Sequence, residues 1–182
     1  MPKKKKEIEV VNIVISASLG KEIPLEKMAA LLPNTEYNPE QFPGLVLRIK
    51  EPKSSALIFS SGKIVCTGAK SMDKVKEAVR KIIKAISKIG IKIKQFPEIS
   101  IQNIVAAGYI GMDLNLNKLA MTLENIEYEP EQFPGLVYKI PEANATFLLF
   151  SNGQIVCTGT KSAKEVEQVV YELIKRLKKA KA

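Results

Sequence analysis

EQFPGLV occupies residues 40–46 of this chain and recurs, letter for letter, as residues 131–137. The copies lie 91 positions apart, each follows a Tyr-x-Pro, and each sets a large aromatic beside a Pro-Gly turn. Turns ordinarily carry Gly, Pro and small polar residues, so a phenylalanine there in both copies needs a physical reason. Outward from this string the same offset continues without gaps. Asn12-Ile13-Val14 aligns with Asn103-Ile104-Val105, and LIFSSGKIVCTGAKS (Leu57–Ser71) aligns with LLFSNGQIVCTGTKS (Leu148–Ser162). A solenoid needs three or more repeats, so two copies describe a duplicated unit with a pseudo-twofold axis.

Each copy reads the same way. A strand (Glu9–Ala17; Ile99–Ala107) leads to a short helix around Leu25–Leu32 or Leu116–Leu123. Pro24 suits a first helical position and Pro33 ends the first helix. Strands near Thr35–Tyr37, Leu45–Lys50, Ala56–Ser60 and Lys63–Thr67 follow, punctuated by the turn signals EPKS and SSG. In Ser71–Ile89, Met72, Val75, Val79, Ile82 and Ile86 recur at helical spacing, and Gly90 closes the helix. The second long helix opens with Ser162-Ala-Lys-Glu165, a capping box, ahead of Val166, Val169, Val170, Leu173 and Leu177. The class is α+β, with an antiparallel sheet and helices on one face.

Strand parity carries the functional argument. Alternate residues of a strand face opposite sides of the sheet. In Lys63–Thr67, Ile64 and Cys66 take one face while Val65 and Thr67 take the other; Leu57 shares a face with Phe59, and Asn12 with Val14. Both faces are therefore substantially apolar, yet one long and one short helix per copy cover only one. An uncovered apolar face of that size marks a binding surface, for a second subunit or for another partner.

Composition narrows the partner. The 182 residues carry a formal charge of +9 and a pI near 9.4, nearly all of it lysine, which favours a polyanion. The chain has no histidine and only two aspartates, Asp73 and Asp113. With no phosphate-cradling glycine loop either, an enzyme is poorly supported. Cys66 and Cys157 hold equivalent places in the two copies, so they read as separate buried thiols in a reducing compartment and cannot make a zinc site. MPKKKKE lacks an apolar segment and reads as a disordered basic tail (1–8), not a secretory signal. No apolar run approaches membrane-span length.

The paired Asn-Ile-Val strands, EQFPG turns, LIF or LLF strands and VCTG strands strongly resemble the TATA-box-binding protein family. The resemblance runs from about Glu9 to the final helix, and the short N-terminal segment is similar to the archaeal form. It implies a saddle: two pseudo-symmetric repeats, 9–98 and 99–182, forming a ten-stranded curved antiparallel sheet with helices on the convex face. The implied function is a general transcription initiation factor, not an enzyme, that binds and bends the TATA box. The implied partners are A·T-rich promoter duplex, transcription factor B and RNA polymerase, with no membrane, cofactor or metal. The implied location is the cytoplasm, on the nucleoid. A homodimer of the DNA-free protein is a further option, and an apolar-sheet self-associating or small-ligand-binding module is the rival reading.

The resemblance also assigns roles. EQFPG becomes a "stirrup" whose Phe42 and Phe133, partnered by Phe59 and Phe150 on the neighbouring strand, resemble wedges driven between base steps. The family is itself a standing example of that mode. Asn12 and Asn103 would donate to adenine N3 and thymine O2, the only minor-groove acceptors of A·T pairs. Their apolar neighbours offer few side-chain partners for a purely structural role. Thr67 and Thr158 add hydroxyls nearby. Val14, Val65, Val105, Val156, Leu57 and Leu148 would form a dry surface that leaves the guanine amine unpaired. Arg48, Lys63, Lys70, Lys139 and Lys161 match rim positions for phosphates, with Gln154 in the place of Lys63. Glu129 and Glu131 match the stirrup that engages transcription factor B; Asn38 replaces the first of them in the other copy.

Overall fold

A computed structural model describes residues 5–180. The elements are β1 (Glu7–Ser18), α1 (Leu25–Leu31), β2 (Thr35–Glu36), β3 (Leu45–Ile49), β4 (Ser54–Ile58), β5 (Lys63–Ala69) and α2 (Met72–Lys88). They are followed by β6 (Ser100–Tyr109), α3 (Leu116–Thr122), β7 (Ile126–Glu127), β8 (Leu136–Ile140), β9 (Ala145–Leu149), β10 (Gln154–Thr160) and α4 (Ala163–Lys179). From α1 to α2, every element recurs 91 residues later with both ends in step. One 3-10 turn, Pro141–Ala143, has no counterpart. Hydrogen bonding orders ten strands as β2-β3-β4-β5-β1-β6-β10-β9-β8-β7.

Two compact units result: Asn12–Gln102, and the residues from Asn103 onward together with the chain up to Val11. The repeat boundary at 98/99 and the boundary between units therefore differ. The reason lies in β1, which is longer than its parity pattern predicts. Its first residues run beside β6, where Gly108 lies so close to the Glu7 carbonyl that no Cβ would fit. Its later residues pair with β5. Glu7 and Ile8, expected in the tail, are thus strand; residues 1–4 of that tail lie outside the described residues.

Within the unit Asn12–Gln102, α2 packs on β5 and β3. Its Val75, Val79, Ile82 and Ile86 are buried with Ile15, Leu45, Ile58, Ile64 and Cys66 of the strands. In the other unit Val169, Val170, Leu173 and Leu177 of α4 are buried, as are Leu136, Phe147, Leu149 and Ile155. Both helices begin at a serine cap: Ser71 Oγ accepts from the Lys74 N–H (3.2 Å) and Ser162 Oγ from the Glu165 N–H (3.1 Å). The capping box differs in one detail, since Glu165 accepts from the N–H of Lys161 rather than of Ser162. Pro24 precedes α1 in an extended conformation instead of occupying its first turn. Both cysteines are free and buried, and desolvation pushes each thiol up to about 11.

Candidate nucleic-acid interface

Alternation holds along β3, β4, β8 and β9 and along β5 and β10 as far as Thr67 and Thr158. Register sets Val46 opposite Leu57, Leu57 opposite Val65 and Val65 opposite Ser16, a row across four strands. The second unit repeats it with Val137, Leu148, Val156 and Ala107. All eight are half-buried, as are Val14 and Val105, while the alternating residues lie in the core. Each unit thus presents a row of half-buried, largely apolar side chains on the face opposite its core. Val46 and Val137 belong to it too; the alternation in LVLRI and LVYKI could have revealed them.

The asparagines sit at a kink. Ile13 faces Ala69 and Ile15 faces Cys66, so two steps along β1 match three along β5: a β-bulge at Thr67-Gly68. β10 bulges equivalently at Thr158-Gly159. A bulge removes one backbone N–H from the ladder and leaves it free for a side-chain acceptor. Asn12 Oδ1 accepts from the Gly68 N–H at 2.6 Å, and Asn103 Oδ1 from the Gly159 N–H at 2.7 Å. Both glycines lie in the left-handed region, with φ of +107° and +100°. A Cβ on Gly159 would collide with the Asn144 carbonyl oxygen.

That bond fixes which way each amide points. With the oxygen on the bulge, Asn12 Nδ2 donates to Thr67 Oγ1 (3.0 Å) and Asn103 Nδ2 to Thr158 Oγ1 (2.8 Å). The expectation of few side-chain partners at these asparagines is therefore corrected: the bulge brings the threonine that directly follows each cysteine within hydrogen-bond reach of them. The partners do not exhaust the cluster. Each amide keeps a second hydrogen, and the Thr158 hydroxyl, having accepted, can still donate, whereas Thr67 Oγ1 also donates to Asn12 Oδ1 at 3.2 Å. Every asparagine–threonine pair thus offers donors and leaves the amide oxygen committed.

The aromatic pairs form at the turns. Phe42 and Phe59 meet edge to face with centroids 5.9 Å apart, and Phe133 and Phe150 at 6.0 Å. Phe42 stays 42% exposed and Phe133 45%. Phe59 and Phe150 stand one residue past the ends of β4 and β9, not within them. Each opens the next hairpin, donating its N–H to the carbonyl of Lys63 or Gln154. The glycine of EQFPG explains the motif: a Cβ on Gly44 would lie 2.8 Å from Phe42 Cε1 and 3.0 Å from Phe59 Cε1. At Gly135 the corresponding distances are 2.7 and 3.0 Å. Glycine is the floor on which both rings rest.

The expected rim residues Arg48, Lys63, Lys70, Lys139 and Lys161 are all exposed. Arg48 is not uncommitted, because it pairs with Glu36 at 3.1 Å. Lys139, its equivalent, makes no ion pair among the described residues. Glu129 and Glu131 are exposed, and the Glu129 carbonyl accepts from the Gln132 and Phe133 N–H groups, as the Asn38 carbonyl does from Gln41 and Phe42. Among the described residues no cluster of His, Cys, Asp or Glu could hold a metal, and no helix is long and apolar enough to cross a membrane.

This duplicated unit, with its open half-buried sheet face, is that of a known class of DNA-binding transcription factors. The family described as transcription factor TFIID (or TATA-binding protein, TBP) matches residues 7–89 and again residues 98–180, and the chain belongs to it. It is 49% identical to the TATA-box-binding protein of Thermococcus kodakarensis over 173 residues, 95% of this chain and 91% of that one. It is 47% identical to that of Archaeoglobus fulgidus, over 94% of this chain and 95% of that protein. Among solved structures, Methanococcus jannaschii TBP superposes with a TM-score of 0.89 at 46% identity, covering 95% of this chain and 99% of that one. The fold is accordingly the family's, and the chain is a general transcription factor, not an enzyme.

Proposed function

We propose that this chain binds the minor groove of an A·T-rich promoter element on the half-buried sheet faces, bends it with Phe42, Phe59, Phe133 and Phe150, and nucleates assembly with transcription factor B and RNA polymerase. The observation that carries the reading is the asparagine–threonine pair. Its outward groups donate, and an A·T pair offers only acceptors in the minor groove, whereas guanine adds an amine donor. Val14, Val65, Leu57 and their equivalents exclude the water that could otherwise satisfy that amine. The same apolar rows give the DNA-free chain a surface for self-association that DNA would displace. A gel-shift with an A·T-rich duplex against a G·C control tests the reading; equal retention of both would overturn it.

Rim and floor should separate by salt. Lys139→Ala should lower the slope of log K against log salt by about one unit, as expected for one lost phosphate contact. Arg48→Ala should lower it by less, because Glu36 already partners that guanidinium. Equal, undiminished slopes would remove both from the rim.

Direction is the second question, because the two base-reading faces are nearly identical. The differences on the stirrups and rim, Asn38 against Glu129 and Lys63 against Gln154, are solvent-exposed. Each should contribute about 1 kcal/mol or less. Orientation is then imposed mainly by transcription factor B docking at Glu129 and Glu131. Reversing both charges to lysine should abolish the ternary complex while leaving DNA binding intact or slightly tighter. Retention of the ternary complex would contradict that assignment.

A further inference from the structure

The turn behind the second bulge is fastened in a way that its counterpart is not. In the unit from Asn103 onward, Arg176 of α4 donates through all three of its guanidinium nitrogens. Nε reaches Glu172 Oε1 at 3.0 Å, Nη1 the Tyr138 hydroxyl at 3.0 Å and Nη2 Glu142 Oε1 at 2.7 Å. Tyr138 is buried in β8, Glu172 lies one turn earlier on α4, and Glu142 belongs to the 3-10 turn Pro141–Ala143 between β8 and β9. A guanidinium presents its donors in a rigid planar fork, so one side chain ties strand, helix and turn together. The bond to Arg176 holds the Glu142 carboxyl below its usual range.

The turn leads directly to the reading cluster. Asn144 follows it in the left-handed region (φ +53°), and its N–H donates to the Pro141 carbonyl at 3.0 Å. The Asn144 carbonyl oxygen lies against Gly159, the bulge residue whose N–H holds Asn103 Oδ1 at 2.7 Å. Arg176, Glu142, Asn144, Gly159 and Asn103 are thus linked in one series of contacts. The first repeat keeps only the carboxylate. At the positions 91 before Arg176, Tyr138 and Glu172 stand Ala85, Leu47 and Lys81. Glu51 matches Glu142 but makes no ion pair among the described residues. The backing is looser as well. A Cβ on Gly68 would meet nothing nearer than Ser54 Cα at 3.0 Å, whereas one on Gly159 would collide with the Asn144 oxygen. Gly68 is exposed where Gly159 is half-buried.

We infer that Arg176 is a positioning residue for base reading: through Glu142 it fixes the β8–β9 turn, which backs the Gly159 bulge and keeps the Asn103 amide oriented with its donors free. The inference rests on the DNA-binding reading above and deepens it. A bulge that opens releases the amide oxygen, and an amide free to turn can accept from the guanine amine instead of rejecting it. The first repeat reads without this fastening, so the two repeats contribute unequally to discrimination.

The test compares E142A with E172A in the full chain. Each deletes one carboxylate partner of the same guanidinium and changes the net charge equally, so attraction to DNA is matched; only E142A unfastens the turn. In the DNA-free protein, hydrogen exchange at the Gly159 N–H, followed by NMR, should quicken about two- to fivefold in E142A. Gly68 should be unaffected, and E172A should match the wild type at both sites. The affinity ratio of an A·T-rich over a G·C duplex should narrow by about the same factor in E142A alone. Equal exchange rates in the two variants would overturn the inference, even if both lose thermal stability. Faster exchange with an unchanged ratio would also overturn it, reducing Arg176 to a structural clamp. Loss of A·T preference in the wild type would instead remove the DNA-binding reading itself.

Discussion

Phe59→Ala combined with Phe150→Ala should weaken DNA binding by roughly 2–6 kcal/mol, since each ring stacked on a base contributes about 1–3 kcal/mol. That is about thirtyfold or more in affinity, and the bend should shrink with it. The reasoning runs through the pair and the glycine floor. Phe42 leans on Phe59 edge to face and both lie over Gly44. Without Phe59 the remaining ring loses the partner that keeps it at the tip, an aromatic contact of about 0.5–1.5 kcal/mol, and is free to settle onto the backbone. Opening a base step is costly, and a wedge that yields cannot hold it open. The competing view is that each phenylalanine staples its own turn. In that case the double variant would lose thermal stability but bend DNA as the wild type does. Fluorescence transfer between the duplex ends, read beside thermal unfolding of the free protein, distinguishes them.

Asn12→Asp with Asn103→Asp should be as damaging to binding and much gentler on the fold. Aspartate keeps an oxygen where Gly68 and Gly159 donate, so each bulge retains its partner. It cannot donate, however, and it sets a carboxylate against adenine N3 and thymine O2, which are acceptors. Two discriminating contacts at about 1–3 kcal/mol each give an expected loss of roughly 2–6 kcal/mol. Alanine at the same positions would confound the result, because an unsatisfied bulge N–H costs about 1–3 kcal/mol in the folded protein. Near-native affinity of the aspartate variant for an A·T duplex would reduce these asparagines to structural clips.

Much of this was legible from residues alone, for identifiable reasons. Period-two alternation is a local property, so IVCTG and LIFS showed that two faces were apolar when helices could cover only one. The gapless offset showed that whatever one copy does, the other repeats. The bulge was not legible. VCTG reads as a regular strand, and only pairing with β1 and β6 exposes the extra residue and the N–H that Asn12 and Asn103 satisfy. The glycine of EQFPG could be recognised as turn chemistry but not as a floor, because that role depends on Phe59, a residue fifteen positions further on and across a hairpin. The extension of β1 to Glu7 was hidden by charge: Glu7, directly after a run of lysines, looks like tail until a neighbouring strand lies beside it.

The central claim is that the half-buried faces read the minor groove through donors that accept A·T and reject the guanine amine. Replacing guanine by inosine in a G·C element deletes that amine, leaving a minor groove like that of A·T while the major groove still reads as G·C. Equilibrium binding to matched A·T, I·C and G·C duplexes therefore isolates the face being read. The account predicts that I·C binds within a few-fold of A·T and that G·C binds far more weakly. Binding of I·C as weak as that of G·C would mean that this protein reads the major groove, and would contradict the account.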